Sequence, residues 1–168
     1  MNDSHLLSAS LEDYIEAIYH IVEQKKVARG KDISQRLQVS GASVTEALRA
    51  LSQKGLINYA PYEAITMTRQ GQIVAREVIR RHNALKKFFV EVLAVDDATA
   101  ETGACKFEHT APAEIIEQMI SFSKFLDICP RGGKELIDGF ADFCKKGKTR
   151  VNCNECIAHC LDYLPRKE

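Results

Sequence analysis

The chain is 168 residues long, enough for one large domain or two small ones that share a modest core. Its 23 basic and 23 acidic residues cancel, which excludes a uniformly basic nucleic-acid binder and makes any DNA-facing surface a local one. Hydrophobic residues make up 45% of it, yet no apolar run approaches the roughly 20 residues of a membrane span. No signal-peptide pattern opens it either, so a cytoplasmic location is expected.

Leu11, Ile15, Ile18 and Val22 recur at helical spacing and predict a first amphipathic helix over residues 11–22. Gln24 to Val27 reads as a turn, and a short helix follows over 31–37 with Ile33 and Leu37 inward. The stretch Gln38-Val39-Ser40-Gly41 supplies turn chemistry and a helix cap, because a serine hydroxyl accepts from a first-turn N–H that has no helical partner. A third helix over 42–54 buries Val44, Leu48 and Leu51 at i, i+4 and i+7, and Gly55 ends it. Two β segments, 56–60 and 64–68, flank Pro61-Tyr62-Glu63 as a hairpin. Helix, turn, helix and hairpin in this order predict a winged helix-turn-helix over residues 11–68.

Thr68 caps a long helix over 69–93, whose Ile73, Val74, Val78, Ile79, Leu85, Phe88, Phe89 and Val92 are too apolar for a free surface. A break at Ala94-Val95-Asp96 precedes a helix over 97–109, and Pro112 opens another that runs to Leu126. These helices form the expected dimer interface. After Cys129-Pro130-Arg131-Gly132-Gly133 come a short helix over 134–144, a basic loop over 145–150 and a cysteine-rich end. The expected fold is mainly α. It consists of a winged helix-turn-helix domain over 1–70, a helical metal-binding and dimerisation domain over 71–126, and a cysteine-rich extension over 127–168.

In a helix-turn-helix the second helix enters the major groove of duplex DNA, and its exposed side chains meet base edges. Here Ser43, Thr45, Glu46 and Arg49 point outward, with Ser40 at the cap. Arg29, Lys31 and Arg36 lie on or before the preceding helix, where phosphate contacts are expected. Arg69, Arg76, Arg80 and Arg81 add positive charge along the long helix.

The sharpest chemical signal is Cys105-Lys106-Phe107-Glu108-His109. Cys, Glu and His at i, i+3 and i+4 share one helix face, so their donor atoms converge, and Glu101 one turn earlier joins that face. Thiolate, carboxylate and imidazole together suit a divalent transition metal rather than magnesium or calcium. The first helix adds Asp13 and Glu16 on one face, and His82 stands among Arg80, Arg81 and Lys86. Five of the six cysteines, Cys129, Cys144, Cys153, Cys156 and Cys160, crowd the last forty residues. They read as ligands for zinc or an iron–sulfur cluster, or as reduced, redox-labile thiols. No nucleophile–base pair and no phosphate-cradling glycine loop supports an enzyme, while a redox-sensing DNA-binding regulator acting through the tail is a second reading.

The stretch Leu11-Glu12-Asp13-Tyr14-Ile15-Glu16-Ala17-Ile18-Tyr19, the helix-turn-helix, the run Arg80-Arg81-His82 and the Cys-x-x-Glu-His motif resemble, in that order and spacing, the diphtheria toxin repressor family. The resemblance covers residues 8–126 and implies an iron- or manganese-dependent repressor, a homodimer on a palindromic operator. By position it implies metal ligands at Asp13, where manganese sensors have Asp, and at Glu16, which matches a carboxylate of manganese sensors. His82, Glu108 and His109 match ligands of both branches, and Cys105 matches the cysteine of iron sensors. Glu101 falls where iron sensors have a histidine of a second site. Lys86 replaces a carboxylate of that second site, which therefore is not assembled their way, and a short form without the SH3-like domain of the larger iron repressors is expected. The implied sites are one of Asp13, Cys105, Glu108 and His109, and another of Glu16, His82 and Glu101. The thiolate of Cys105 favours Fe(II) over Mn(II).

Overall fold

A computed structural model describes residues 7–61, 63–128 and 133–147. The chain divides into two compact units between Arg81 and His82.

The first unit holds α1 (Ala9–Lys25), α2 (Gly30–Leu37), α3 (Gly41–Gln53), β1 (Ile57–Asn58), β2 (Thr66–Met67) and the start of α4 (Arg69–Glu91). Each boundary has a local chemical cause. Ser8 caps α1 by accepting from the Leu11 N–H at 3.4 Å, and Ser40 caps α3 by accepting from the Ser43 N–H at 3.1 Å. Lys26 and Gln38 end α1 and α2 in the left-handed conformation, their N–H groups returning to Val22 and Ser34. Between α2 and α3 only Gln38, Val39 and Ser40 remain, which makes the tight turn of a helix-turn-helix.

Apolar spacing on the three helices closes one core. Ile15, Ile18, Ile33, Val44, Leu48 and Leu51 are buried together with Leu56, Ile57 and Ile65 of the hairpin. Full burial of one such side chain contributes about 1.5–3 kcal/mol, so this cluster is what holds the reading helix in place. The hairpin is shorter than the pattern predicts. Only Ile57↔Met67 and Asn58↔Thr66 pair as strands, and the segments 56–60 and 64–68 shrink to two residues each. The compensation lies where a plain turn was expected. Ala28, just past Gln24 to Val27, exchanges both backbone hydrogen bonds with Ile65 at 2.9 Å. This ties the start of α2 to the wing.

Thr68 joins hairpin to α4. Its Oγ1 accepts from the Gly71 N–H at 3.0 Å and donates to the Gly55 carbonyl at 2.8 Å. The approach is so close that a Cβ on Gly71 would lie 1.9 Å from the Leu56 carbonyl oxygen, and only glycine fits. Along α4, Ala75 and Val78 are buried, and Ile73 is 52% exposed.

The second unit holds the rest of α4 with α5 (Asp97–Glu108), α6 (Ala113–Ile128) and α7 (Gly133–Lys146). Asp96 caps α5 by accepting from the Thr99 N–H at 3.0 Å. The core here is small: Leu85, Ala104 and Ile116 are buried, with Phe89, Met119 and Ile120 packed against them. Ile115, Phe122, Phe125 and Ile128 of α6 and Leu136, Phe140 and Phe143 of α7 stay exposed. An apolar surface of that extent marks an association face. No helix among the described residues is long and apolar enough to cross a membrane.

Candidate metal centre

Small residues bring α5 onto α4. Ala100 and Ala104 are fully buried, and a Cβ on Gly103 would lie 3.3 Å from the Phe89 ring. Phe89 in turn meets Phe107 edge-on, ring centres 6.1 Å apart. With the helices this close, Glu101 and Glu108 on α5 reach His82 on α4.

Glu108 is the centre of the cluster. Its residue is 2% exposed, which is affordable for a carboxylate only when partners surround it. Oε2 lies 3.0 Å from Nδ1 of His82, and Oε1 lies 3.3 Å from Nε2 of His109. His109 follows the last turn of α5 as its C-cap, with φ −89° and ψ −16°, so it keeps near-helical backbone and stays beside Glu108. Cys105 is one turn earlier and exposed. The thiol sulfur of Cys105, a carboxylate oxygen of Glu108 and a ring nitrogen of His109 all lie within 4.8 Å of one another. The spacing i, i+3, i+4 thus delivers three different donor types to one point. A thiolate, a carboxylate and an imidazole at that separation fit a divalent transition ion by number and softness.

Glu101 shares the helix face with Cys105, but its carboxylate turns elsewhere. Oε1 faces Nε2 of His82 at 3.2 Å, and Oε2 faces Nζ of Lys86 at 2.9 Å. Lys86 donates to Asp97 as well, at 3.1 Å. The Lys86 hydrogen bond is the main cause that holds the Glu101 carboxyl below its usual range, with burial pulling the other way and the His82 charge assisting. In the other direction Glu101, then Asp97, hold the Lys86 ammonium above its ordinary value.

In the first unit Asp13 and Glu16 are half-buried on α1, and Glu16 lies 3.5 Å from the ring of His20. Glu12, their neighbour, is buried and meets the Arg81 guanidinium at 2.7 Å. Arg76 places its guanidinium 6.0 Å from the ring centre of Tyr19 and donates to the Tyr19 hydroxyl at 3.3 Å. Two of the four arginines counted along α4 are therefore occupied by α1. Neither pairing has a local signature, since both partners are set by packing between segments some sixty residues apart.

The reading helix presents Ser43, Glu46 and Arg49 as exposed residues, while Thr45 is half-buried and donates to the Gly41 carbonyl at 2.9 Å. Burial first, then the nearby charges of Glu46 and Asp13, raise the Tyr14 phenol, so Glu46 lies on the side of α3 towards α1. Arg29, Lys31 and Arg36 are exposed. Arg29, Thr45 and Arg49 line one groove with Tyr59 and Pro61 of the hairpin. Of the tail cysteines, Cys144 is exposed on α7 with no disulfide. Cys129, Cys153, Cys156 and Cys160 lie outside the described residues.

Two family models divide the chain between them. Residues 6–65 match the iron dependent repressor N-terminal DNA binding domain, and residues 68–137 match the iron dependent repressor metal binding and dimerisation domain. An uncharacterized HTH-type transcriptional regulator of Methanocaldococcus jannaschii is 37% identical over 123 residues, 72% of this chain and 98% of that protein. The chain belongs to the iron-dependent repressor family. The family comprises metal-dependent DNA-binding transcriptional regulators rather than enzymes, and its second matched domain serves dimerisation. Another member of this kind, the HTH-type transcriptional regulator MntR of Shouchella clausii, is 30% identical over 66% of this chain and 76% of its own length. Among solved structures, the manganese regulator SloR superposes with a TM-score of 0.61 at 27% identity, covering 73% of this chain. IdeR of T. acidophilum does so with 0.61 at 25% identity, covering 76%. This repressor spans 57% and 60% of those two longer chains.

Proposed function

We propose that the chain is a cytoplasmic, Fe(II)-responsive repressor of metal-homeostasis genes that binds a palindromic operator as a homodimer. The observation that carries this reading is the meeting of the Cys105 sulfur, a Glu108 oxygen and a His109 nitrogen within 4.8 Å. Asp13, Cys105, Glu108 and His109 are the proposed holders of the ion, with Glu16 beside Asp13 on α1 and His82 orienting Glu108 from α4. A bound divalent ion supplies the positive charge that lets a thiolate and carboxylates remain together.

The chain's own part is to convert that binding into a DNA response. Asp13 and Glu16 belong to α1, which shares its core with the reading helix α3 through Ile15, Ile18, Val44 and Leu48. Any preference of Asp13 for one position of α1 is therefore felt by Ser43 and Arg49. A coupling of about 1–3 kcal/mol between ion and DNA gives a several-fold to hundred-fold response. The exposed apolar residues of α6 and α7 are the surface that a second copy covers. Two reading helices then meet half-sites about one helical turn apart.

A manganese-responsive regulator is the second reading, favoured by the carboxylates at Asp13 and Glu16 and by the manganese regulators among its relatives. Anaerobic titration of operator affinity against Fe(II) and Mn(II) separates the two. Tighter operator binding at lower Fe(II) than Mn(II) supports the first, the reverse order supports the second, and equal affinity with and without either ion sinks both. Zinc or an iron–sulfur cluster on the C-terminal cysteines is an independent proposal, tested by metal content and visible absorbance after anaerobic purification.

A further inference from the structure

Nε2 of His82 faces Oε1 of Glu101, and Oε2 of Glu101 and Oδ2 of Asp97 both accept from Lys86, where α4 faces the start of α5. An imidazole with two carboxylates is a donor set that suits Mn(II) or Fe(II). The cation among them is the chain's own ammonium, 2.9 Å from Glu101 and 3.1 Å from Asp97. We propose that Lys86 is a built-in cation that fills the His82–Glu101–Asp97 cluster and limits each subunit's metal-binding unit to the single ion of Cys105, Glu108 and His109. The inference rests on the metal-sensing reading above and deepens it by fixing how many ions the site takes.

Three physical features favour the ammonium over a second divalent ion. Lys86 follows His82 by one helical turn on α4, so the backbone itself holds the charge beside the partner of His82. Both oxygens of Glu101 are engaged, one by Lys86 and one by His82, and neither is left for an incoming ion. A protonated lysine has three donors and no lone pair, so it neither ligates a metal nor tolerates one at contact distance. The side chains of His82 and Lys86 are 13% and 29% exposed, and like charges placed there are screened less than on open surface. An ion enters only if Lys86 swings out and gives up two charge-assisted hydrogen bonds.

Anaerobic equilibrium dialysis of the full chain against Mn(II) alone counts ions per subunit. Lys86→Leu and Lys86→Glu are each expected to bind about one ion more than the unaltered protein. Lys86→Arg, which keeps the charge, stays at the unaltered number, and adding Glu101→Gln to Lys86→Glu removes the gain. Native far-UV circular dichroism with an unchanged ion count in both Lys86→Leu and Lys86→Glu overturns the inference. If neither variant folds, crystals of the unaltered protein soaked in Mn(II) decide: an anomalous peak between His82 and Glu101 overturns it, and a peak at Glu108 and His109 alone supports it. An unaltered protein that binds neither Mn(II) nor Fe(II) sinks the metal-sensing reading instead, and a gain in Lys86→Glu above that baseline still supports the role of Lys86.

Discussion

Nδ1 of His82 stands 3.0 Å from Oε2 of Glu108, a carboxylate with a side chain only 1% exposed. Its other oxygen faces His109 at 3.3 Å. A buried carboxylate between two imidazoles is already oriented before any ion arrives, which is what a metal site requires of its supporting groups. His109 is the C-cap of α5, and alanine keeps its backbone N–H bond to Phe107, so truncating the side chain removes a metal donor without disturbing the helix end. His109→Ala is therefore expected to abolish metal-stimulated operator binding and to leave the helical content unchanged. Fluorescence anisotropy on operator DNA, with and without Fe(II), checks this. Metal stimulation of normal size in the variant removes His109 from the ligand set.

Glu12 and Arg81 form an ion pair of 2.7 Å with side chains 9% and 16% exposed. The remaining Nε of Arg81 is buried with no hydrogen-bond partner among the described residues. Removing Glu12 strands a buried charge, the costly way to break such a pair, at about 3 kcal/mol. Glu12→Ala should lower the unfolding free energy measured in urea by that margin, and Glu12→Leu combined with Arg81→Met should recover most of it. A single-variant loss below about 0.5 kcal/mol would show that water already solvates the guanidinium.

Gly71 marks where the wing meets α4. A Cβ there would sit 1.9 Å from the Leu56 carbonyl oxygen and 2.8 Å from its carbon, both backbone atoms with little freedom to yield. Gly71→Ala is expected to cost about 1–3 kcal/mol or more, as overpacking of a rigid contact does. Thermal unfolding followed on the isolated variant tests it. An unchanged midpoint, despite the usual gain from replacing a helical glycine, would contradict the contact.

How much of this was legible in the sequence depends on the range of the interaction that decides it. Ser40, Gly55 and Thr68 end or begin elements through bonds to residues three positions away or to neighbouring loops, and the pattern of short polar residues announces them. The donors Cys105, Glu108 and His109 sit within one helical turn, so spacing alone puts them together. The pairing of Ala28 with Ile65 has no local signature, because two single residues meet across the fold. The Arg81–Glu12 pair and the hold of Lys86 on Glu101 are likewise tertiary, and each arginine or lysine looks in the sequence like a solvated surface charge. Ile73 is a different case: composition marks α4 as too apolar for a free surface without saying which side chains turn inward, and the buried stripe of its first half runs through Ala75 and Val78.

Asp96 gives a pH dependence whose sign is fixed. Hydrogen bonds donated by the Thr99 hydroxyl, and then by the Thr99 backbone N–H, stabilise the carboxylate and hold it below the usual range. A lowered folded value means stability that is fully present above the ordinary carboxyl range near ~3.9 and is lost as pH falls through the lower folded value. Asp96→Asn keeps a capping acceptor but does not titrate. Acid unfolding of the variant, followed by circular dichroism, should therefore be shallower below about pH 4 than that of the unaltered protein. Identical acid limbs would mean that the cap carries no charge-dependent stability.

Arg49 separates two ways in which the reading helix can use a cation. It is exposed on α3 beside the groove lined by Arg29, Thr45 and Tyr59, and Glu46 stands on the side towards α1. A phosphate contact is sequence-independent, so Arg49→Ala would weaken binding to all DNA alike and reduce the salt slope by about 1. A bidentate contact to guanine would cost about 1–3 kcal/mol at one base pair and relax the preference there. The position of Arg49 at the ninth residue of α3, two turns from the N-terminal end that meets base edges, favours phosphate. Titrations on operator and scrambled duplexes at several salt concentrations decide between them. Loss of discrimination at a single base with an unchanged salt slope would move Arg49 from the backbone to the bases.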